Sequence, residues 1–288
     1  MKKIALINDL SGFGKCSLTA AISVVSVMGI QAVPLPTAVL SAQTGFPSYY
    51  CDDYTNRMDF FTDEWKKMDV RFDGIHSGYL AGWEQIKKVF YVLDTFQTDD
   101  TIYLADPVMG DDGRHFKAFS NKLLDGMKQL CTRARITTPN LTELCLLTGS
   151  DYISLTAFPK DEDYLERIAD IARTLLRTMP KNACVLVTGI IRHANGFHSN
   201  GCSFMGNMAV TADNCFYHET PYIPQSFSGT GDLFASVICA ALVNGLSVEE
   251  AEKKASAFLQ PAIEDAVTEN IDRNHGIHFE KYLGTLLS

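Results

Sequence analysis

The chain has 288 residues, of which 46% are hydrophobic and 20% are charged, so it can bury a full core and is neither disordered nor fibrous. Its formal net charge of −9 provides no basic field for nucleic acid or an anionic membrane surface. Asn8 and Asp9 interrupt the first apolar run too early for a signal peptide, and no later run has the ~20 apolar residues of a membrane span. We therefore expect a cytoplasmic protein that binds neither nucleic acid nor membrane.

Short apolar runs rich in β-branched residues alternate along the chain with longer segments of helical period, the pattern of βα units on a mostly parallel sheet. The expected strands are residues 4–8, 33–39, 72–77, 102–105, 135–138 and 184–188. The expected helices are residues 15–28, 83–96, 116–130, 141–147, 161–177, 232–244 and 248–267. The fold class is therefore α/β, and ligands should meet the sheet where its strands end.

The pattern changes between residues 191 and 222, where short alternating stretches are separated by Gly196, Gly201 and Gly206. This pattern predicts antiparallel hairpins that extend one edge of the sheet. No internal repeat, low-complexity segment or Pro/Gly-rich linker divides the sequence. We therefore predict a single domain that spans residues 1–288.

A glycine-rich stretch, Ser-Phe-Ser-Gly-Thr-Gly-Asp at residues 226–232, leads directly into a helical segment. Gly229 and Gly231 allow a tight turn whose N–H groups point into one concavity, and the positive end of the following helix adds to this anion site. Such a site would hold a phosphate. Asp232 stands at its edge, where it either caps the helix or takes a proton from an attacking hydroxyl group.

Two further motifs place carboxylates where strands end. Asp106 opens the stretch Asp-Pro-Val-Met-Gly-Asp, where an aspartate before proline can form a turn or face the ligand crevice. Glu143 follows Asn140 in the stretch Thr-Pro-Asn-Leu-Thr-Glu, where it can close a capping box and can also order the water shell of Mg²⁺. A Walker loop is excluded at residues 8–15, because the glycine spacing does not fit and Lys15 is not followed by Ser or Thr.

Gly-Thr-Gly-Asp before a helix of small residues resembles the signature of the ribokinase-like superfamily, and the two carboxylate motifs resemble those of its vitamin kinases. The resemblance implies a three-layer α/β/α fold, with helices on both faces of a mostly parallel sheet and a small antiparallel edge extension. It also implies that Asp232 is the catalytic base. Gly229, Thr230 and Gly231 would then stabilise the charge on the transferring phosphoryl group.

The same resemblance implies residues for the nucleotide and the metal. Asp106 and Glu143 would belong to the Mg²⁺ shell. The implied ATP contacts are Asp106, Asn140, Thr188, Gly189 and Thr230. The resemblance further implies a homodimer, and it leaves activation by K⁺ as an open question.

The substrate side resembles the pyridoxal kinases. Residues 37–46 resemble the stretch of that family that ends in a Thr-Gly-aromatic triplet, and residues 76–79 resemble its turn with a substrate-contacting tyrosine. The implied substrate-binding residues are Asp9, Ser41, Gln43, Thr44 and Tyr79, with Asp9 facing the aromatic ring. The implied reaction is ATP-dependent phosphorylation of the 5′-hydroxymethyl group of pyridoxal, pyridoxamine or pyridoxine.

Two alternatives stay open. The first is a hydroxymethylpyrimidine kinase of thiamine synthesis. At the position of Asp9 those enzymes usually carry aspartate, whereas many pyridoxal kinases carry serine. The Thr-Gly-aromatic triplet at residues 44–46 argues against this alternative. The second is a non-catalytic vitamer-binding or carrier protein, which would not need Asp232. A carboxylate at residue 9 would favour a protonated ring nitrogen or an amine over a neutral aldehyde, so the preferred vitamer is open as well.

Overall fold

The computed structural model describes residues 1–158, 161–193 and 203–287. The described residues form two compact units: unit 1 lies within Met1–Leu104 and Gln225–Ser288, and unit 2 lies within Ala105–Pro224. The predicted turn residues Gly196 and Gly201 lie outside the described residues. A single domain over residues 1–288 stays a prediction.

The elements alternate between strands and helices over most of the chain. In chain order they are β1 (Lys3–Ser11), α1 (Ser17–Val27), β2 (Gln31–Leu40), β3 (Cys51–Asp53), α2 (Met58–Lys67), β4 (Gly74–Ser77), α3 (Trp83–Phe96), β5 (Ile102–Ala105), β6 (Gly110–Asp111), β7 (Arg114–His115), α4 (Asn121–Cys131), β8 (Ile136–Thr137), α5 (Leu141–Thr148), α6 (Tyr152–Thr156), α7 (Glu162–Leu176), β9 (Cys184–His193), β10 (Ser203–Val210), β11 (Cys215–Pro221), α8 (Thr230–Val243) and α9 (Val248–Thr268). Short 3₁₀ turns occur at Thr55–Arg57, Arg273–His275 and Phe279–Leu287.

In unit 1 the strands lie in the order β5, β4, β1, β2, β3. Strand β1 runs parallel to β2 and β4, and β3 is antiparallel to β2. All of β1 is buried except its partly exposed residues Lys3 and Leu10, as expected for a parallel strand covered on both faces. Helix α8 packs on α1 and α9 and contacts β4. The carboxyl ends of β1 and β4 therefore lie at one edge of the sheet.

In unit 2, β8 runs parallel to β9, while β9, β10 and β11 form an antiparallel meander. This meander confirms the antiparallel extension predicted for residues 191–222. The α/β class is also confirmed. Among the helices of the described residues, none has both the length and the apolar character needed to cross a bilayer.

Three helices differ substantially from the prediction, and one of them is the short helix α6 at Tyr152–Thr156, which was not predicted. The helix predicted from residue 116 begins at Asn121 instead, because the side chain of Ser120 accepts a hydrogen bond from the Leu123 N–H and caps the helix there. Helix α2 was not predicted, although its buried residues Met58, Thr62 and Trp65 have helical spacing. All three errors concern helices that contain none of the predicted site residues.

Candidate active site

Helix α8 begins at the glycine-rich loop, and Asp232 is its third residue. Gly229 occupies the N-cap position with φ +87°, and a Cβ atom there would lie 1.9 Å from the Lys15 carbonyl oxygen. Only glycine fits this turn. The first N–H groups of a helix lack acceptors within it, so the start of α8 can bind an anion, and the phosphate site predicted there stays a prediction. Asp232 lies inside the first turn rather than at the cap.

The carboxylate of Asp232 is held by two donors from unit 1. Asn8 Nδ2 donates to Asp232 Oδ1 at 3.0 Å, and the backbone N–H of Ser17 also bonds to the carboxylate. Burial raises the pKa of Asp232 to about 6, and the nearby charge of Asp9 raises this pKa further, while the bonds from Ser17 and Asn8 oppose the increase. A base with a pKa close to neutral is well suited to accept a proton at physiological pH.

Ser17 joins the two carboxylates of unit 1. Its hydroxyl donates to Asp9 Oδ1 at 2.6 Å, while its N–H bonds to Asp232. Ser17 has φ +52°, in the left-handed region that residues other than glycine rarely adopt. Such a conformation costs about 1–3 kcal/mol and is concentrated at functional sites. Sequence reasoning missed Ser17, because a positive φ leaves no pattern in the sequence.

Asp9 lies beside Asp232 at the end of β1 and is 8% exposed. Its two carboxylate oxygens accept hydrogen bonds from the hydroxyls of Ser17, at 2.6 Å, and Ser11, at 2.7 Å. Burial raises the pKa of Asp9, although both hydroxyl bonds act in the opposite direction. Its predicted contact with the substrate ring stays a prediction, and the structure gives Asp9 an electrostatic effect on Asp232.

The raised pKa of Asp232 should make this residue destabilising at neutral pH. The folded protein holds the proton more tightly than the unfolded chain, so stability is lost as the pH rises from about 4 to about 6. An asparagine at this position does not titrate. Above pH 6 the free energy of unfolding of Asp232→Asn should therefore exceed that of the wild type by at most about 3 kcal/mol. Below about pH 4 this advantage should disappear. Denaturant unfolding of both proteins at the two pH values measures the effect, and a pH-independent difference would contradict it.

The loop after β2 carries three of the predicted substrate residues. The Gln43 side chain is 8% exposed and donates to the backbone oxygen of Asn274 at 3.1 Å, while it accepts from the Gly45 N–H at 2.7 Å. Ser41 accepts at its hydroxyl from the Tyr50 N–H at 2.8 Å. Thr44 is exposed. Gln43 therefore fixes the loop, and Thr44 remains accessible at its surface.

Three aromatic side chains come together beside this loop. The rings of Phe13, Phe46 and His275 form a triangle with centroid distances of 5.3–5.5 Å. His275 and Asn274 belong to the turn near the C-terminus, which sequence reasoning did not include in the site.

Tyr79, the last of the predicted substrate residues, follows β4 and is partly buried. Its N–H donates to Asn8 Oδ1 at 2.9 Å.

In unit 2 the two carboxylate motifs meet. Glu143 is 5% exposed and accepts from the Met109 N–H and the Asn140 N–H, each at 3.0 Å. The predicted capping box of Asn140 and Glu143 is confirmed. Thr138 donates to Asp106 Oδ1 at 2.7 Å. Burial raises the pKa of Glu143 well above its ordinary range, and the charge of Asp106 adds to this.

The predicted nucleotide residues Asn140 and Thr188 are also neighbours in unit 2. They form a parallel β-bridge, and the Asn140 side chain donates to the Gly110 oxygen at 2.8 Å. Gly189 follows, and its N–H donates to Asn207 Oδ1 at 3.3 Å. Unit 2 thus contains the residues implied for ATP and metal, except Thr230, which belongs to unit 1 together with Asp232.

The described ranges contain no group of three or more His, Cys, Asp or Glu side chains that could hold a metal ion. Mg²⁺ takes few protein ligands and keeps several waters. Burial is the first cause of the raised pKa of Glu143, and the charge of Asp106 is the second. A divalent cation would relieve the repulsion between these two carboxylates. This pair therefore fits a water-rich magnesium shell.

Comparison with known proteins identifies the family of the chain. The sequence model of the phosphomethylpyrimidine kinase family matches residues 14–278. A crystal structure from Bacteroides thetaiotaomicron, provisionally described as a phosphomethylpyrimidine kinase and crystallised with pyridoxal, is 36% identical with a TM-score of 0.87, covering 99% of this chain and 95% of that one. The pyridoxal kinase PdxY of Deinococcus radiodurans is 25% identical over 259 residues, which are 87% of this chain and 82% of that protein.

The fold itself is shared with the pyridoxal kinase of Lactobacillus plantarum, which has a TM-score of 0.86 at 23% identity and covers 100% of this chain and 97% of that one. The predicted ribokinase-like fold is therefore confirmed. The chain belongs to the phosphomethylpyrimidine kinase family, on the ribokinase-like pyridoxal kinase branch that its motifs predicted.

Proposed function

We propose that this protein transfers the γ-phosphoryl group of ATP to the 5′-hydroxymethyl group of a B6 vitamer. The observation that carries the proposal is the Asp232 carboxylate, which lies in the first turn of α8 beside the glycine loop and has a pKa raised to about 6. The relative that is 36% identical to this chain was crystallised with pyridoxal. A vitamer-binding protein without catalysis would have no need for such a base.

Asp232 acts as the general base. It accepts the proton of the vitamer hydroxyl as that oxygen attacks the γ-phosphorus, and the bond from phosphorus to the bridging oxygen of ATP breaks. The amides of Gly229, Thr230 and Gly231 stabilise the charge on the transferring group. Thr230 is further held by a hydrogen bond of 3.1 Å from its hydroxyl to the Phe227 oxygen.

We assign nucleotide binding to Asp106, Asn140, Thr188 and Gly189, with Thr230 as a further contact. Mg²⁺ in the shell of Asp106 and Glu143 would neutralise charge on the phosphates. Vitamer binding is assigned to Asp9, Ser41, Gln43, Thr44 and Tyr79.

We further propose that the protein is a cytoplasmic homodimer. Light scattering on the purified protein tests the dimer. Exchange of K⁺ for Na⁺ in the assay tests activation by a monovalent cation.

A hydroxymethylpyrimidine kinase is the second candidate, because the family model and the relative from B. thetaiotaomicron both carry the phosphomethylpyrimidine description. The two functions differ in the aromatic ring that the site accepts. Phosphorylation of pyridoxal, pyridoxine, pyridoxamine and hydroxymethylpyrimidine should be measured side by side with ATP and Mg²⁺, and the products identified by mass. Higher kcat/KM for a B6 vitamer supports the proposal, whereas preference for the pyrimidine or absence of any turnover refutes it.

Asp9 should bias the choice among the vitamers. Replacing it with serine removes a carboxylate and should raise kcat/KM for pyridoxal relative to pyridoxamine by about three- to tenfold. The control is Ser11→Ala, which removes one hydrogen bond to Asp9 but keeps the charge. An unchanged ranking in Asp9→Ser, or the same change in Ser11→Ala, would show that the charge does not select the vitamer.

A further inference from the structure

Asn8 is a buried polar residue in the otherwise apolar part of β1, and it is 3% exposed. A buried amide is costly unless its polar atoms are paired. Its oxygen accepts from the backbone N–H groups of Asp9, at 3.0 Å, and Tyr79, at 2.9 Å. Its nitrogen donates to Asp232 Oδ1 at 3.0 Å. The side chain therefore connects the proposed base with the turn that follows β4.

The orientation of this amide is determined by its partners. Backbone N–H groups can only donate, so the atom that faces Asp9 and Tyr79 must be the oxygen of Asn8. The NH₂ group must then face Asp232. A donor at this point stabilises the ionised carboxylate and restricts its rotation.

The neighbouring turn is shaped to accommodate the amide. A Cβ atom on Gly78 would lie 2.5 Å from Asn8 Nδ2, so any side chain at residue 78 would collide with the donor group. The Gly78 N–H is bonded to the Ile7 oxygen at 2.9 Å. Gly78 thus keeps the turn close to β1, and its missing side chain leaves the space that the amide fills.

We propose that Asn8 is a positioning residue that orients the Asp232 carboxylate, keeps it ionised, and links it to the turn carrying Tyr79. The inference rests on the proposed role of Asp232 as base. The other groups that face Asp232 are the carboxylate of Asp9, the N–H of Ser17 and the thiol of Cys16. The Cys16 thiol stays neutral, because burial and then the two carboxylates raise its pKa to about 12. Asn8 and Ser17 are thus the donors that favour the charged base.

Asn8→Asp is the sharpest test, because it keeps the shape and the accepting oxygen but replaces the donor with a second carboxyl oxygen that faces Asp232. With saturating substrates, the acid limb of the pH profile of kcat should move up by about one unit or more. At pH 7 a shift of one unit, from about 6 to about 7, lowers the ionised fraction of Asp232 and therefore kcat by about twofold, and a shift of two units by about tenfold, while the vitamer KM changes by less than about threefold. Asn8→Ala should move the acid limb in the same direction.

The control is Asn244→Ala, which removes another asparagine of unit 1 whose side chain donates to the Met28 oxygen at 3.0 Å. It should leave the pH profile unchanged. An acid limb within about 0.2 unit of wild type in both Asn8 variants would overturn the proposal.

A measurement that needs no turnover separates this inference from the proposed function. Asn8→Asp should lower Tm by about 3 °C or more, because two carboxylates then face each other. The double variant Asn8→Asp with Asp232→Asn rebuilds the amide and carboxylate pair in reverse. Because Asp232→Asn alone should also raise stability above pH 6, the comparison is a double-mutant cycle: Asp232→Asn should raise Tm more in the Asn8→Asp background than in wild type. If Asn8→Asp alone does not fold, the two variants are compared at pH 4, where Asp232→Asn brings no advantage of its own. An equal or smaller gain in the Asn8→Asp background would overturn the pairing, whether or not the wild type phosphorylates a vitamer.

Discussion

Replacing Asp232 with asparagine is expected to lower kcat by about 10²–10⁴-fold and to change the KM for ATP by less than about threefold. The side chain keeps its shape and one oxygen that can still accept from Asn8. The variant loses the negative charge and with it the ability to take the proton from the attacking hydroxyl. Because that proton moves in the transition state, the loss should be found in kcat.

The wild-type pH profile tests the same assignment. With a pKa of about 6, Asp232 is protonated at lower pH, so kcat should fall by about tenfold for each pH unit below 6 and stay level above it. Asp99→Asn is the matched control, since Asp99 lies exposed in a turn of unit 1, and it should behave as wild type. Activity of Asp232→Asn within about threefold of wild type would refute the base assignment.

Replacing Gly229 with alanine is expected to lower kcat by about 10²-fold or more and to reduce stability. The new Cβ atom would lie 1.9 Å from the Lys15 oxygen, so the loop or the backbone at Lys15 must move. Either movement displaces the start of α8 and the Asp232 carboxylate with it. Steady-state kinetics and thermal unfolding measure the two effects.

Gly245→Ala separates the collision from the strain of a positive φ. Gly245 has φ +94°, close to the +87° of Gly229, but a Cβ atom there would meet no heavy atom within 4 Å. This control should lose only about 1–2 kcal/mol of stability and keep its kcat. Equal kinetics in the two variants would show that the close contact of Gly229 with Lys15 does not position the base.

Much of the fold could be predicted from local patterns. Alternation of apolar runs and helical segments located the main strands, and the capping box predicted for Asn140 and Glu143 is present. Helix α4 was misplaced because Ser120 caps it five residues later than the periodicity suggested. The residue at which a helix begins depends on single capping side chains, and the hydrophobic periodicity of the sequence does not indicate that residue.

The candidate site was predictable only where its motifs are contiguous. Glycines followed by an aspartate identified Asp232, since a tight turn and a helix start require those residue types together. Asn8 received no role, because its partner lies 224 residues away in the chain. The bond from Gln43 to Asn274 spans 231 residues and was missed for the same reason.

The amino-acid sequence by itself determined the α/β class, the glycine loop and the acidic motifs at the strand ends, because each depends on neighbouring residues. Only the tertiary structure decided that Asn8 and Ser17 bond to the Asp232 carboxylate and that burial beside Asp9 raises the pKa of this carboxylate to about 6. Hydrogen bonds and desolvation depend on which groups packing brings within a few ångströms of one another. That distance is set by the folding of the whole unit and is not encoded in any short stretch of the chain.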